Sequence, residues 1–191
     1  MQHILVLVKS LLSNLLLAAA LSCLLISCGA SRKTARHNTE TPGRSYQPLS
    51  EKALQKKYAS RLQASPGDLD NTPLYYFIDE WYGTPYRYGG NTRSGIDCSG
   101  FTVQLYTKVF KSNLPRTARQ QYESSKRIKK IRKLEEGDLV FFNDGRGRIS
   151  HVGVYLMNNF FVHSGTGTGV IIGNLEDDYW REHFVAGGKR K

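Results

Sequence analysis

The stretch ISHVGVYLMNNFFVH, residues 149–163, decides the fold of the second half of this chain. Apolar side chains recur at every second position, which is the period of a β-strand with one buried face. The residues assigned to that face are Val152, Val154, Leu156, Phe160 and Val162. If the two apolar faces coincide, Val154 lies opposite Val162, and the connection is the three-residue loop 157–159. Such a loop needs a left-handed third residue, and Asn159 tolerates that conformation.

The same register places two histidines on one face of the hairpin. Gly153 then faces His163, so His151 and His163 occupy diagonal sites roughly 7–8 Å apart at the backbone, within side-chain reach. A two-residue loop would place them on opposite faces and bury polar groups in the core. The pattern therefore predicts adjacent imidazoles, although either histidine has the alternative of being an ordinary structural residue.

The segments on either side complete an α+β domain. Further short strands are indicated at 138–142 and 170–172, separated from the hairpin by turn residues. Before them, Pro73–Trp81 has the apolar spacing of a helix, and a second helix begins at Cys98. The residues that share one face of this second helix are Cys98, Phe101, Leu105 and Val109. The sequence thus predicts a helical N-terminal half packed on an antiparallel sheet.

Cys98 is the residue with the clearest chemical potential. It lies in the first turn of a buried helix, where the positive end of the helix dipole favours a thiolate and where Asp97 or Ser99 can cap the helix. A nucleophilic thiol needs a base, and the hairpin pattern supplies His151 with His163 beside it. His37 falls in a polar tether and His183 in a charged segment that we expect to be exposed. The alternative is that Cys98 is a small buried hydrophobe.

The first 31 residues are typical of a targeting segment. No charged residue occurs from Ser10 to Ser31, so this part is either a cleaved signal peptide or a retained transmembrane helix. Leu25-Ile26-Ser27-Cys28-Gly29 resembles a bacterial lipobox, which implies cleavage before Cys28 and its acylation, with Cys23 a poorer candidate. We therefore expect a signal peptide at 1–27, a lipidated Cys28 with a flexible tether at 28–72, and a catalytic domain at 73–191.

Composition and charge narrow the classes of protein further. The chain has 191 residues and three cysteines, which excludes a disulfide-stapled scaffold or a cysteine-rich zinc module. The net charge of +11 favours anionic partners, and residues 126–133 contain six basic side chains. No aromatic residue is interleaved with these charges, so a solvated loop is favoured over nucleic-acid binding. No metal or cofactor is expected, because the histidine spacing lacks the HExxH pattern of a zinc protease.

Six motifs in order resemble the NlpC/p60 family of cell-wall cysteine peptidases, over about residues 73–188. They are Tyr86-Arg87-Tyr88-Gly89-Gly90, Asp97-Cys98-Ser99-Gly100-Phe101, Leu114-Pro115-Arg116-Thr117, Gly137-Asp138-Leu139-Val140-Phe141-Phe142, His151-Val152-Gly153-Val154-Tyr155 and Phe161-Val162-His163. The resemblance is strongest to the Spr-type single-domain lipoproteins. It implies a papain-like fold in which Cys98 is the nucleophile, His151 the general base and His163 the residue that orients the base. It also implies that Tyr86 assists at the oxyanion and that Ser99 lines the substrate cleft.

The resemblance also implies a function. We expect a murein endopeptidase that cleaves stem-peptide amides of peptidoglycan, at the D-alanyl–diaminopimelate cross-link. Two alternatives stay open: cleavage of the γ-D-glutamyl–diaminopimelate bond, and wall binding without catalysis. We further expect a monomer, held by its lipid at the outer membrane and facing the periplasm.

Overall fold

The computed structural model describes residues 46–189, in which four helices come before most of a six-stranded antiparallel sheet and a fifth lies between its last two strands. The helices are α1 (Glu51–Leu62), α2 (Thr72–Trp81), α3 (Cys98–Lys108), α4 (Ala118–Ser124) and α5 (Asp178–His183). The strands are β1 (Asn91–Thr92), β2 (Gly95–Ile96), β3 (Lys126–Ile128), β4 (Leu139–Asn143), β5 (Ile149–Tyr155), β6 (Phe160–Gly165), β7 (Gly169–Asn174) and β8 (Phe184–Lys189). The predicted α+β class is confirmed.

The predicted hairpin register is confirmed at β5 and β6. Val154 pairs with Val162, and the backbone N–H of Leu156 donates to the carbonyl of Phe160 at 2.9 Å. Asn159 is left-handed with φ of 67°, as the three-residue loop requires, and Asn158 joins it with φ of 50°. The large sheet has the strand order β3-β8-β4-β5-β6-β7.

The sheet is buried on both faces, because successive side chains along β5 and β6 point to opposite sides of the sheet. Helices α1, α2 and α3 pack on the face that carries Val152, Val154 and Val162. The opposite face carries a smaller cluster built around Phe142, Phe161 and other aromatic residues. Side chains of odd and even positions along one strand therefore enter two different cores, and the histidines enter the second.

The predicted start of the folded domain near Pro73 is wrong, because residues from Tyr46 onward belong to the same compact unit. Leu54, Tyr58 and Leu62 recur every four residues along α1 and are fully buried. Burying each such side chain stabilises the folded state by about 2 kcal/mol, a contribution that a solvent-exposed tether would not make. Asn158 in the hairpin loop also donates to the carbonyls of Leu62 and Gln63, at 2.9 and 3.0 Å. The predictions for residues 1–45 lie outside the described residues.

The basic segment 126–133 forms the edge strand β3 and a 3-10 turn rather than a loop. Lysine and arginine on an edge strand discourage pairing with another chain, which gives this charge a structural reason. Among residues 46–189, no helix is long and apolar enough to span a bilayer.

Candidate active site

Cys98 occupies the first position of α3, as predicted, and Asp97 is its cap. The Asp97 carboxylate accepts a hydrogen bond from the backbone N–H of Gly100 at 2.6 Å, which fixes the start of the helix. Cys98 is a free cysteine, and its side chain lies at the edge of the main core with 7% exposure. The thiol is thus held by a capped helix terminus and not by a mobile loop.

Arg116 clamps the loop that precedes Cys98. Its Nη1 donates to Asp97 Oδ1 at 2.9 Å and to Ser99 Oγ at 3.0 Å. Its Nη2 donates to Asp97 Oδ2 at 2.8 Å and to the carbonyl of Gly90 at 3.1 Å. A planar guanidinium suits this bidentate geometry, which a lysine cannot reproduce. The Leu114-Pro115-Arg116-Thr117 motif pointed to this residue, but the sequence did not reveal its role.

The two predicted histidines meet on the sheet. His151 Nε2 lies 3.1 Å from His163 Nδ1, and the two rings are nearly perpendicular at 82°. Gly153 between them makes this possible, because a Cβ at that position would lie 2.8 Å from the carbonyl oxygen of Val162 and 3.3 Å from His163 Cβ. His163 is 2% exposed, and its Nε2 has no hydrogen-bond partner among residues 46–189.

The β5 strand brings Cys98 to the histidines. The backbone N–H of Val152, the residue that follows His151, lies near enough to the Cys98 thiol to act toward a lower pKa of that group. Ser164, the residue that follows His163, donates through Oγ to the carbonyl of Ile96 at 2.8 Å. The loop before the cysteine is therefore tied to β6, and Cys98 lies beside the β5 strand that carries His151.

Burial sets the protonation states of this region. It raises the pKa of the Cys98 thiol above 9.0, although the backbone N–H groups of Val152, Ser99 and Cys98 itself act in the opposite direction. Burial lowers the pKa of His151, and burial together with repulsion from His151 lowers that of His163. The resting site thus contains a neutral thiol and two neutral imidazoles at pH 7. The backbone N–H groups at the start of α3 act toward the thiolate, as predicted, but burial outweighs them.

A cleft of about 470 Å³ opens at the thiol. Its lining includes Tyr86, Cys98, Ser99 and Arg116. Tyr86 is half-buried and lies close enough to Cys98 for the thiolate to raise the pKa of its hydroxyl, in addition to burial. The nearby Thr166 side chain opposes this rise in the pKa of Tyr86. Tyr86 and Ser99 therefore both lie at the cleft, as the motif comparison implied, whereas nothing in the sequence indicated Thr166.

The electrostatics of the Asp97–Arg116 pair preserve its charge. Burial alone would raise the pKa of the Asp97 carboxyl, but Arg116 and the backbone N–H groups of Gly100 and Gly89 hold it below 3.8.

Within residues 46–189, no group of three or more histidine, cysteine, aspartate or glutamate side chains is placed to hold a metal ion. The arrangement can deliver a thiol, a base with a fixed tautomer and nearby backbone N–H donors to a bound carbonyl.

Comparison with known proteins places this geometry in a family. A sequence model described as "NlpC/P60 family" matches residues 83–189. The chain is 46% identical over 108 residues to the probable endopeptidase NlpC of Escherichia coli K12, covering 56% of this chain and 70% of that protein. It is 35% identical over 168 residues to the E. coli K12 protein named murein DD-endopeptidase MepS/murein LD-carboxypeptidase, covering 87% of this chain and 86% of that one.

A solved structure supports the fold. The NlpC/P60 family protein from Bacillus cereus ATCC 10987 superposes with a TM-score of 0.57 at 28% identity. The match covers 61% of this chain and 39% of that chain.

Proposed function

This chain belongs to the NlpC/P60 family, and from that premise we propose that it is a cysteine-type peptidoglycan endopeptidase. One observation carries the proposal: a cleft opens at Cys98, the backbone N–H of Val152 beside His151 acts to lower the pKa of that thiol, and His151 Nε2 lies 3.1 Å from His163 Nδ1. The cleft of about 470 Å³ opens at this thiol and leaves room for an extended peptide. The E. coli relative that aligns with 87% of this chain and 86% of its own length is named murein DD-endopeptidase MepS/murein LD-carboxypeptidase.

Cys98 is the proposed nucleophile and His151 the proposed base. His151 accepts the thiol proton as sulfur attacks the carbonyl carbon of a stem-peptide amide. The backbone N–H of Cys98 and the Tyr86 hydroxyl stabilise the resulting oxyanion. The C–N bond then breaks, and protonated His151 gives its proton to the leaving amine. Water, deprotonated by His151, hydrolyses the thioester and restores the thiol.

His163 is the proposed orienting residue. With His151 Nε2–H donating to His163 Nδ1, the remaining nitrogen of His151, Nδ1, carries the lone pair that accepts the thiol proton. The buried, partnerless Nε2 of His163 then carries its own proton. Ser99 lines the cleft wall, where Arg116 fixes its hydroxyl at 3.0 Å.

The scissile bond we propose is the D-alanyl–diaminopimelate cross-link. The support is the length-matched relative, whose name specifies a DD-endopeptidase. Purified protein would be incubated with a cross-linked muropeptide dimer, and the masses of the products would be read. Two tetrapeptide monomers are expected. Products split between D-glutamate and diaminopimelate would instead establish the alternative γ-D-glutamyl specificity.

Substitution of the nucleophile tests the enzyme assignment. Cys98→Ser and Cys98→Ala should remove turnover, while circular dichroism and thermal melting stay close to the wild type. An irreversible thiol alkylator should inactivate the wild type with one label on Cys98. Substantial turnover in either variant would refute the cysteine mechanism. Binding of the wild type to sacculi without any product would favour the alternative of wall binding without catalysis.

We place the protein in the bacterial envelope as a lipoprotein, anchored through Cys28 to the outer membrane and facing the periplasm. The support is the Leu25-Ile26-Ser27-Cys28 motif, and Gly29 in place of aspartate after the acylated residue. Cys28→Ala should release the protein from the membrane fraction without changing its turnover. Retention in membranes would favour an uncleaved transmembrane helix. A monomer is proposed because one chain supplies all three site residues, and size-exclusion chromatography with light scattering would check it.

A further inference from the structure

The indole of Trp180 lies against both site histidines. Its ring stacks on His151 with centroids 5.4 Å apart and an angle of 29° between the planes. The same indole meets His163 at 4.8 Å in an edge-to-face arrangement of 70°. Trp180 therefore covers one face of the His151 ring and borders the hydrogen bond between the two imidazoles.

The indole is itself held by the sheet. Phe142 lies 4.7 Å from Trp180 by ring centroids, and Phe161 lies 5.1 Å away at 85°. Gly173 allows close approach, because a Cβ there would lie 3.2 Å from the indole Nε1. Helix α5 thus delivers an aromatic side chain into a socket formed by three strands, and the socket fixes it against the histidines.

The partnerless nitrogen of His163 explains why such a cover is needed. His163 Nε2 is buried without a hydrogen bond, so a rotation that exposed it to water would gain one. The same rotation would break the bond from His163 Nδ1 to His151 Nε2. Rings packed on His163, with Phe161 stacked at 5.1 Å and Trp180 on its edge, oppose that rotation and exclude water.

We propose that Trp180 is a positioning residue, which holds the His151 ring in its productive orientation and shields the His151–His163 hydrogen bond from water. Its turnover test rests on the proposed peptidase function. The indole touches no reacting atom and acts through His151. A π-face beside His151 also favours the imidazolium that forms when the thiol loses its proton.

Turnover on a muropeptide dimer tests this with three variants of the full chain. Trp180→Leu should lower kcat by about 10- to 100-fold and change KM by less than about threefold, since the base loses its alignment while the cleft is intact. Trp180→Phe, which keeps a stacking ring, should stay within about fivefold of the wild-type kcat. Tyr179→Leu is the matched control, because this neighbour is 60% exposed, stacks on His183 and meets Trp180 only edge-on, at 4.9 Å between ring centroids. It should stay within about twofold.

Nitrogen-15 NMR of the imidazoles gives a second readout that needs no turnover. The wild type should show a hydrogen-bonded histidine N–H that exchanges slowly with water. Trp180→Leu should lose that resonance, and Trp180→Phe should retain it. If Trp180→Leu does not fold, Trp180→Phe and Trp180→Tyr are compared with the wild type. Their histidine N–H should exchange with water faster than in the wild type, because the smaller ring covers less of His151.

Normal kcat together with slow N–H exchange in a folded Trp180→Leu would overturn the inference. An equal loss in Tyr179→Leu would also overturn it. A wild type that retains the slow N–H resonance but cleaves no muropeptide would refute the proposed function alone.

Discussion

Arg116→Lys should destabilise the protein and lower its activity, although it conserves the charge. The arginine makes four hydrogen bonds, two of them to the Asp97 carboxylate and one each to Ser99 and Gly90. A single ammonium can keep about two of these. Hydrogen bonds to charged groups contribute about 1.5–3 kcal/mol each when buried, and the 40% exposure of the Arg116 side chain reduces this by solvent screening. The expected loss is about 1.5–3 kcal/mol of unfolding free energy.

Urea denaturation followed by tryptophan fluorescence measures that loss. With a slope of about 2 kcal/mol per molar urea, the midpoint should fall by about 1 M. Arg119→Lys is the matched control, because its ion pair with Glu123 is exposed and solvent screening leaves it little effect on stability. Turnover of Arg116→Lys should fall about tenfold, since the helix start that carries the thiol loses its clamp. A midpoint equal to that of the control would refute the clamp.

Three further predictions concern the histidine strands. Turnover should decrease in the order wild type, His163→Asn, His163→Ala, His151→Ala. The amide of asparagine replaces part of the hydrogen bond that orients His151, whereas nothing replaces the base itself. Near-normal turnover of His163→Ala would refute the orienting role. Gly153→Ala should cost about 1–3 kcal/mol and most activity, since its Cβ would press on backbone and on His163, whereas Gly67→Ala meets no atom within 4 Å and should be neutral. Folding lowers the pKa of both histidines, so the stability that depends on their neutral forms is fully present above about pH 6.5. It is lost as the pH falls below that value toward the folded-state pKa values, because the unfolded chain then binds more protons. Urea midpoints that stay unchanged from pH 7 to 5 would contradict this.

Local pattern predicted those parts of the fold where one period dominates. The β5–β6 register followed from alternation alone, and the left-handed Asn159 followed from loop length. Strand β8 escaped prediction because Gly187 and Gly188 resemble a loop. Both positions need glycine: a Cβ would lie 2.2 Å from Leu134 Cδ2 at Gly187 and 2.6 Å from Phe141 Cε2 at Gly188.

Residues whose role depends on distant contacts could not be derived from spacing. Helix α1 falls in the segment predicted to be a tether, because its burial depends on α2 and on the hairpin loop at Asn158. The position of Trp180 against His151 is likewise set by three strands that pack around it. The sequence indicated that the helix start favours a thiolate at Cys98, but the opposing effect of burial could not be predicted, because burial is a property of the whole fold.

The neutral resting pair determines how the site can work. A thiolate–imidazolium pair would require charge in a place where burial raises the thiol pKa and lowers the pKa of His151. The backbone N–H groups of Cys98, Ser99 and Val152 nevertheless surround the sulfur and favour the anion once it forms. Proton transfer to His151 is therefore best coupled to attack on a bound carbonyl, when the negative charge passes from sulfur to the oxyanion. Such coupling requires that His151 already be aligned, which is why His163, Gly153 and the ring of Trp180 matter as much as the nucleophile.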